Sequence, residues 1–115
     1  MEIIIYHNPR CSKSRQTLAL IEERGITPVI INYLETPPSH LQLDSILRGL
    51  EMQPRDLIRK GEAEYKEQEL ANSELSRDEL IEAMINSPRL IERPIVVNGD
   101  RAVIGRPPEN VKNIL

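Results

Sequence analysis

Cys11 is the only cysteine in this 115-residue chain, and its surroundings suit a nucleophile. It follows Pro9 and stands between a short apolar run and a stretch with helical character. At a helix start, unpaired backbone N–H groups and the positive end of the helix dipole stabilise a thiolate and any anion that approaches it. We therefore interpret Cys11 as a catalytic thiol at the start of a helix.

Three basic residues, Arg10, Lys13 and Arg15, surround the thiol in the sequence. Nearby cations favour the thiolate, and a fall in pKa from about 8.5 to about 6.5 raises the thiolate fraction at pH 7 from roughly 3% to roughly 75%. A lone cysteine is more commonly a small buried hydrophobic residue. The helix start and the three cations favour the reactive interpretation, and Arg15 is included among the residues that we expect to activate the thiolate.

The chain offers Cys11 no partner of its own, because Ser14 stands where a dithiol enzyme has its second cysteine. Any disulfide step must then use an external thiol. Two histidines without a Cys/His spacing pattern do not form a zinc site. Four glutamates lie in 62–69, but basic and amide residues interrupt them, which is typical of a solvated surface. We expect no bound metal or cofactor.

Composition limits the possible partners and predicts a single domain over residues 1–115. The chain is 39% hydrophobic, which is enough for one core. A net charge of -3 and the absence of Trp and Phe argue against a nucleic-acid partner. No apolar run approaches the ~20 residues that span a membrane, and the N-terminus enters a strand instead of a signal peptide. These features predict a cytoplasmic protein without a membrane partner.

The first 33 residues predict a strand–helix–strand unit. Apolar runs at 3–5 and 29–33 indicate two buried strands, and the helix between them extends from about Ser12 to Arg24, where Gly25 ends it. Such a unit places its two strands parallel, with a right-handed crossover.

The middle of the chain predicts an all-helical insertion at about 39–90. Two capping boxes mark helix starts, one formed by Ser39 with Gln42 and one by Ser76 with Glu79. Pro54 suits the first turn of a short helix between them. The polar stretch 61–72 is predicted to be a solvated loop or helix face.

A β-hairpin over 95–104 is predicted around Asn98-Gly99 as a type I′ turn. This turn pairs Val97 with Asp100, Ile95 with Ala102 and Arg93 with Ile104. Arg93 and Arg106 then share the open end of the hairpin, and a short helix starts at Pro107 and Pro108. Guanidinium groups bind tetrahedral oxyanions through paired N–H donors, and their charge offsets the repulsion between a thiolate and an anion. The sequence thus predicts an α/β fold, with a mixed sheet built from a βαβ unit and a C-terminal hairpin and helix, and a thiolate that handles an oxyanion.

The chain resembles the arsenate reductases that couple to glutathione and glutaredoxin, over nearly its whole length. Five motifs in the same order make this resemblance specific. They are Tyr6-His7-Asn8-Pro9 with Cys11, Ser14 and Arg15; Tyr33-Leu34-Glu35-Thr36-Pro37-Pro38; Leu57-Ile58-Arg59-Lys60; Glu92-Arg93-Pro94-Ile95-Val96-Val97; and Gly105-Arg106-Pro107.

The resemblance implies a thioredoxin-like sheet with a helical insertion, and it implies roles for individual residues. Cys11 attacks arsenate, whose oxygens are held by three arginines, Arg59, Arg93 and Arg106. His7 and Ser14 hydrogen-bond near the thiolate and assist its activation. Pro94 is a cis-proline that faces the cysteine.

The resemblance also implies a cycle with external thiols. A covalent thioarsenate forms on Cys11, glutathione attacks it as co-substrate, arsenite leaves, and glutaredoxin restores the thiol. Arsenate, or a similar oxyanion, glutathione and glutaredoxin are therefore the expected partners, and no bound cofactor takes part.

Two other functions fit part of the sequence. Cys-x-x-Ser at a helix start also suits a monothiol glutaredoxin-like thiol oxidoreductase. A redox-responsive regulator of the same fold that binds RNA polymerase is the third interpretation, although Ser14 occupies the place of the second cysteine in regulators that sense through a dithiol. A physiological substrate other than arsenate is also open.

Overall fold

The computed structural model describes residues 2–115, which contain one four-stranded mixed sheet. β1 pairs parallel with β2 and antiparallel with β3, and β3 pairs antiparallel with β4, in the order β2-β1-β3-β4. The predicted α/β class and the parallel pairing of the first two strands are confirmed. The strands are β1 (Ile3–His7), β2 (Val29–Asn32), β3 (Ile95–Asn98) and β4 (Arg101–Ile104).

Helix α1 (Ser12–Glu23) connects β1 to β2. Gly25 follows it with φ +77°, and its N–H donates to Glu22 O at 2.9 Å, so glycine ends the helix as predicted. The helix therefore starts immediately beyond the carboxyl end of β1, and this junction carries Cys11.

The segment between β2 and β3 is helical, as predicted. Both capping boxes are present, with Ser39 Oγ accepting from Gln42 N at 3.2 Å and Ser76 Oγ accepting from Glu79 N at 3.1 Å. The polar stretch after residue 61 contains a short helix. The elements are α2 (His40–Leu50), α3 (Pro54–Leu57), α4 (Ala63–Glu67), α5 (Arg77–Asn86) and a 3-10 turn at Pro88–Leu90.

The sheet separates two apolar cores because successive side chains of a strand point to opposite faces. One core gathers side chains of β1, α1, β3 and the C-terminal 3-10 helix Pro108–Asn113, with Ile5, Ile21 and Val96 fully buried. The other joins the opposite sheet face to α2, α3 and α5. Helical layers therefore cover both faces of the sheet.

Strand β2 is less buried than its sequence predicts. Val29 is 39% exposed and Ile30 is 50% exposed, so the prediction of a buried second strand was wrong. Among the strands in residues 2–115, β2 forms one edge of the sheet and pairs only with β1. An apolar, β-branched run indicates a strand but does not distinguish an edge strand from a central one.

The hairpin has a different turn from the predicted one. Val97 pairs with Ala102 and Asn98 pairs with Arg101, so the turn residues are Gly99 and Asp100. The predicted Asn98-Gly99 turn and its pairings, Val97 with Asp100, Ile95 with Ala102 and Arg93 with Ile104, were wrong.

A hydrogen bond from the Asn98 side chain explains why the turn is formed by Gly99 and Asp100. Asn98 Nδ2 donates to Ile114 O at 2.6 Å, which holds Asn98 in β3 against the C-terminus. Gly99 then supplies the positive φ of +64° at the first turn position, the conformation of a type II′ turn. The observed register continues past the strand ends, where Gly105 N donates to Pro94 O at 2.9 Å.

No helix in the described part of the chain is both long and apolar enough to cross a membrane. Within residues 2–115, no three His, Cys, Asp or Glu side chains are grouped so that they could hold a metal ion.

His40 ties the start of α2 to α5. Its Nδ1 lies 2.7 Å from Glu82 Oε1 and its Nε2 lies 3.2 Å from Asp78 Oδ1. The hydrogen bond to Glu82, supported by Asp78, raises the pKa of His40 above its ordinary value against a smaller opposing effect of burial. The protonated imidazole therefore stabilises the folded state.

We expect His40→Gln to destabilise the protein in a pH-dependent way. Because the folded pKa is raised, the stabilisation is fully present below the unfolded pKa of about 6.5 and is lost as pH rises through the folded pKa. Urea unfolding of the variant and the wild type at about pH 5.5 and about pH 8.5 measures the loss in the free energy of unfolding at each pH. Glu82→Gln is a second variant, which should also reduce the pH dependence of the free energy of unfolding. An equal difference from wild type at both pH values would contradict the expectation.

Candidate active site

The backbone around Cys11 forms the start of a helix. Cys11 is the N-cap of α1, its N–H donates to Asn8 O at 3.0 Å, and its own carbonyl accepts from Arg15 N at 3.0 Å. The side chain is partly exposed. The thiol thus lies at the end of β1, where the free N–H groups of α1 begin.

The thiol of Cys11 is activated by its environment. Burial raises its pKa, but four other groups together bring the pKa below the ordinary value. These are the backbone N–H of Ser14, the charge of Arg93, the backbone N–H of Lys13 and the guanidinium of Arg106. The helix start and the two distant arginines therefore favour the thiolate.

The source of this activation differs from the sequence-based prediction. The largest effects do not come from the side chains of the three neighbouring basic residues. Arg10 and Lys13 are exposed, and Arg15 Nη1 donates to Pro9 O at 2.9 Å. Lys13 acts on the thiol through its backbone N–H, and Arg15 supports the loop that carries Cys11.

His7 and Ser14 form a buried pair behind the thiol. His7 Nδ1 lies 2.6 Å from Ser14 Oγ, and the same hydroxyl oxygen accepts from Asn8 N at 3.0 Å. Burial, and then the charge of Arg15, lower the pKa of His7, which keeps its imidazole neutral at neutral pH. The pair joins the end of β1 to the first turn of α1 and so fixes the helix start that holds Cys11.

Arg93 and Arg106 lie beside the thiol, at the open end of the hairpin. Arg106 Nη1 is 3.8 Å from Cys11 Sγ and donates to Arg93 O at 3.2 Å. The Arg93 side chain is only 16% exposed, whereas that of Arg106 is 36% exposed. Extending the observed register by two residues places Arg93 opposite Arg106. The two arginines therefore share the open end of the hairpin as predicted, although the predicted residue pairing was wrong.

The hairpin end packs closely on α1 through Gly105. A Cβ at this position would clash with Thr17 Oγ1 and with Pro94 Cγ, so the close approach requires glycine. The Arg93–Pro94 peptide bond is cis, as the resemblance implies for Pro94, and the Arg106–Pro107 bond is cis as well. The contact between Gly105 and α1 brings Arg106 next to Cys11.

An isolated β-bridge holds the backbone of Arg59 next to the segment that leads to Arg93. Ile58 pairs antiparallel with Ile91, and the adjacent bond from Arg59 N to Leu90 O measures 2.7 Å. The Arg59 guanidinium donates to Glu62 Oε1 at 2.7 Å. Because this bridge joins two segments 33 positions apart in the sequence, hydrophobic spacing gave no signal for Arg59, and only the resemblance identified it.

Tyr33 is a buried member of the site that the sequence analysis did not select as functional. It is 1% exposed, and burial raises the pKa of its phenol, as does the nearby charge of Cys11. The charges of Arg93 and Arg59 and a hydrogen bond with the side chain of Asn8 partly offset this rise in pKa. The phenol is thus an electrostatic neighbour of the thiol and of two of the arginines. The sequence could have indicated that Tyr33 lies near the thiol. Tyr33 directly follows β2, and the carboxyl ends of the parallel strands β1 and β2 lie at the same edge of the sheet.

Comparison with known proteins identifies the family. The model of the ArsC family matches residues 6–114 of the chain. The chain belongs to the ArsC family. An ArsC relative from Haemophilus influenzae named "Arsenate reductase" is 51% identical over 116 residues, which cover all of both chains. A relative from Escherichia coli K12 named "Uncharacterized protein YfgD" is 51% identical over 115 residues, covering 99% of this chain and 97% of the relative.

The ArsC fold agrees with a solved structure at high similarity. The structure described as "Arsenate reductase from Vibrio cholerae" has a TM-score of 0.96 and 52% sequence identity, and the match covers 100% of this chain and 98% of that chain. The chain therefore has the thioredoxin-like fold of the ArsC family, which confirms the fold that the resemblance implies.

The arrangement in this ArsC protein suits attack by a thiolate on an anion. A nucleophile stands at a helix start, two guanidinium groups lie beside it, and a third is linked to them through the bridge between 58 and 91. Such fixed positive groups stabilise negative charge that develops during reaction. The described site can thus hold an oxyanion next to a thiolate.

Proposed function

We propose that this ArsC protein is an arsenate reductase that works through a covalent intermediate on Cys11. The observation that carries the proposal is the 3.8 Å contact between Arg106 Nη1 and Cys11 Sγ, with Arg93 alongside. A lowered thiol pKa and a local excess of positive charge are what attack on an oxyanion needs. The name of the Haemophilus influenzae relative supports arsenate as the oxyanion.

In the first step, the thiolate of Cys11 forms a bond to arsenic. The hydroxyl group of hydrogen arsenate takes up one proton from solvent and leaves as water, and a thioarsenate remains on the sulfur. Arg93 and Arg106 offset the negative charge next to the thiolate, and Arg59 is proposed to hold a further oxygen. The free N–H groups at the start of α1 add to this stabilisation.

In the second step, two thiols supply the two electrons that convert arsenate to arsenite. A glutathione thiolate bonds to the Cys11 sulfur as the sulfur–arsenic bond breaks, and the electron pair stays on arsenic, which leaves as arsenite. Cys11 is then in a mixed disulfide with glutathione. Because Ser14 is not a thiol, an external one must resolve this disulfide, and we propose glutaredoxin for that role. A reducing compartment such as the cytoplasm suits this cycle.

A second candidate function is a monothiol glutaredoxin-like thiol oxidoreductase. The Cys-x-x-Ser sequence at the start of α1 favours thiol–disulfide exchange. The arginines next to the sulfur favour an oxyanion instead. The two functions differ in the substrate that oxidises Cys11.

A coupled assay distinguishes them. With arsenate as substrate, the purified protein is given glutathione, glutaredoxin, glutathione reductase and NADPH. With a glutathione mixed disulfide as substrate, glutaredoxin is left out, because it reduces such disulfides itself. NADPH oxidation is followed in both cases. We expect arsenate turnover that requires both glutathione and glutaredoxin. Turnover of the mixed disulfide without any turnover of arsenate would overturn the proposal and favour the second candidate.

A further inference from the structure

Glu92 places a carboxylate among the groups that we propose to hold the oxyanion. Its Oε1 accepts from Arg93 N and from Arg93 Nη1, both at 3.2 Å, and lies 3.8 Å from Arg106 Nε. A negative charge at such a place is unexpected, because it reduces the positive potential that draws an anion to Cys11.

The position of this carboxylate is fixed by the fold. Glu92 N donates to Leu57 O at 3.0 Å, next to the isolated bridge between Ile58 and Ile91. The side chain is 32% exposed and lines an open cavity of about 550 Å³ together with Arg106. The Glu92 carboxylate is therefore open to solvent while its backbone stays in place.

One guanidinium connects Glu92 with the thiol. Arg106 contacts Cys11 Sγ through Nη1 and faces Glu92 through Nε. An oxyanion held by Arg106 next to the sulfur therefore has a carboxylate as its neighbour. Two acceptor oxygens that face each other repel, unless one of them carries a proton and donates a hydrogen bond to the other.

We infer that Glu92 determines the specificity of the site, by accepting a hydrogen bond from an O–H group of the bound oxyanion. Hydrogen arsenate and hydrogen phosphate carry such a group, whereas sulfate has the same tetrahedral shape and charge but no proton. Glu92 then admits the first two and repels sulfate. This inference rests on the proposed binding of an oxyanion at Cys11.

The test measures anion binding without any turnover. The rate at which iodoacetamide alkylates Cys11 is followed at about pH 8, where phosphate is mainly the hydrogen phosphate dianion. Phosphate or sulfate is titrated in, with sodium chloride adjusted to keep the ionic strength constant, because exposed charges respond to salt. Protection of the thiol reports the affinity of each anion.

We expect phosphate to protect wild-type Cys11 at about tenfold lower concentration than sulfate, or better, as one charge-assisted hydrogen bond permits. Glu92→Gln keeps an Oε1 acceptor for Arg93 but removes the charge, and we expect it to reduce the preference by about tenfold, mainly through tighter sulfate binding. Glu35→Gln removes an equal charge at an exposed position and should keep the wild-type preference.

Three outcomes would overturn the inference. The first is equal protection of the wild-type thiol by phosphate and sulfate. The second is an unchanged preference for phosphate over sulfate in a folded Glu92→Gln protein. Either of these two results leaves the proposed reductase activity intact. Protection by neither anion in the wild type would overturn both the inference and the oxyanion site.

Discussion

A Cys11→Ser variant is expected to lose arsenate turnover by at least about 10³-fold, the largest effect that we predict. The two arginines and the helix N–H groups that stabilise a thiolate cannot ionise a serine hydroxyl near neutral pH, because it is far less acidic than a thiol. Serine also cannot form the mixed disulfide, so the two electrons for arsenate reduction have no route. The coupled assay with glutathione and glutaredoxin measures this loss.

The same variant is expected to fold normally, which makes the loss interpretable. Cys11 is the N-cap of α1 and is only partly buried, and serine is a preferred N-cap residue. Urea unfolding should therefore give at least the wild-type free energy of unfolding. Turnover near the wild-type rate in this folded variant would contradict the proposed mechanism.

The sequence predicted best those features that local interactions determine. The capping boxes at Ser39 and Ser76 involve residues three positions apart, and both are present. Cys11 stands at the start of α1 as predicted, although its side chain makes no capping hydrogen bond. A helix start needs few partners from elsewhere in the chain, so its signal survives in a single sequence.

Features that depend on distant partners were predicted less well. The turn residues are displaced because the Asn98 side chain bonds to Ile114 O, 16 residues away. Val29 and Ile30 are exposed because β2 lies at the sheet edge, which the apolar run alone does not reveal. In both cases tertiary contacts outweighed a correct local pattern.

The candidate site likewise contains residues that local patterns predicted and residues whose position depends on distant partners. The hairpin places Arg93 and Arg106 at one end whichever of the two turns forms, so their proximity followed from the sequence. Arg59 needs the bridge between Ile58 and Ile91, which has no local signature. The activation of the thiol was predicted in direction, but its main cationic source proved to be the distant arginines.

Arg93→Ala and Arg106→Ala are each expected to lower kcat/KM for arsenate by about 30- to 1000-fold, which corresponds to ~2 to 4 kcal/mol of transition-state stabilisation. Each change removes a guanidinium next to Cys11. Because these groups lower the thiol pKa, both variants should also raise it, so that alkylation of Cys11 at neutral pH becomes slower. Steady-state kinetics and the pH dependence of alkylation measure the two effects.

Arg101→Ala is the matched control for these variants. Arg101 lies at the turn end of the same hairpin, where its Nη2 donates to Asn113 O at 2.9 Å, so its loss removes an equal charge away from the thiol. We expect wild-type kinetics and a wild-type thiol pKa for this variant. An equal decrease in all three variants would show that net charge alone draws arsenate to the protein, whereas a decrease confined to Arg93 and Arg106 requires their position beside Cys11. Unchanged kinetics in both variants would leave the oxyanion without its proposed ligands.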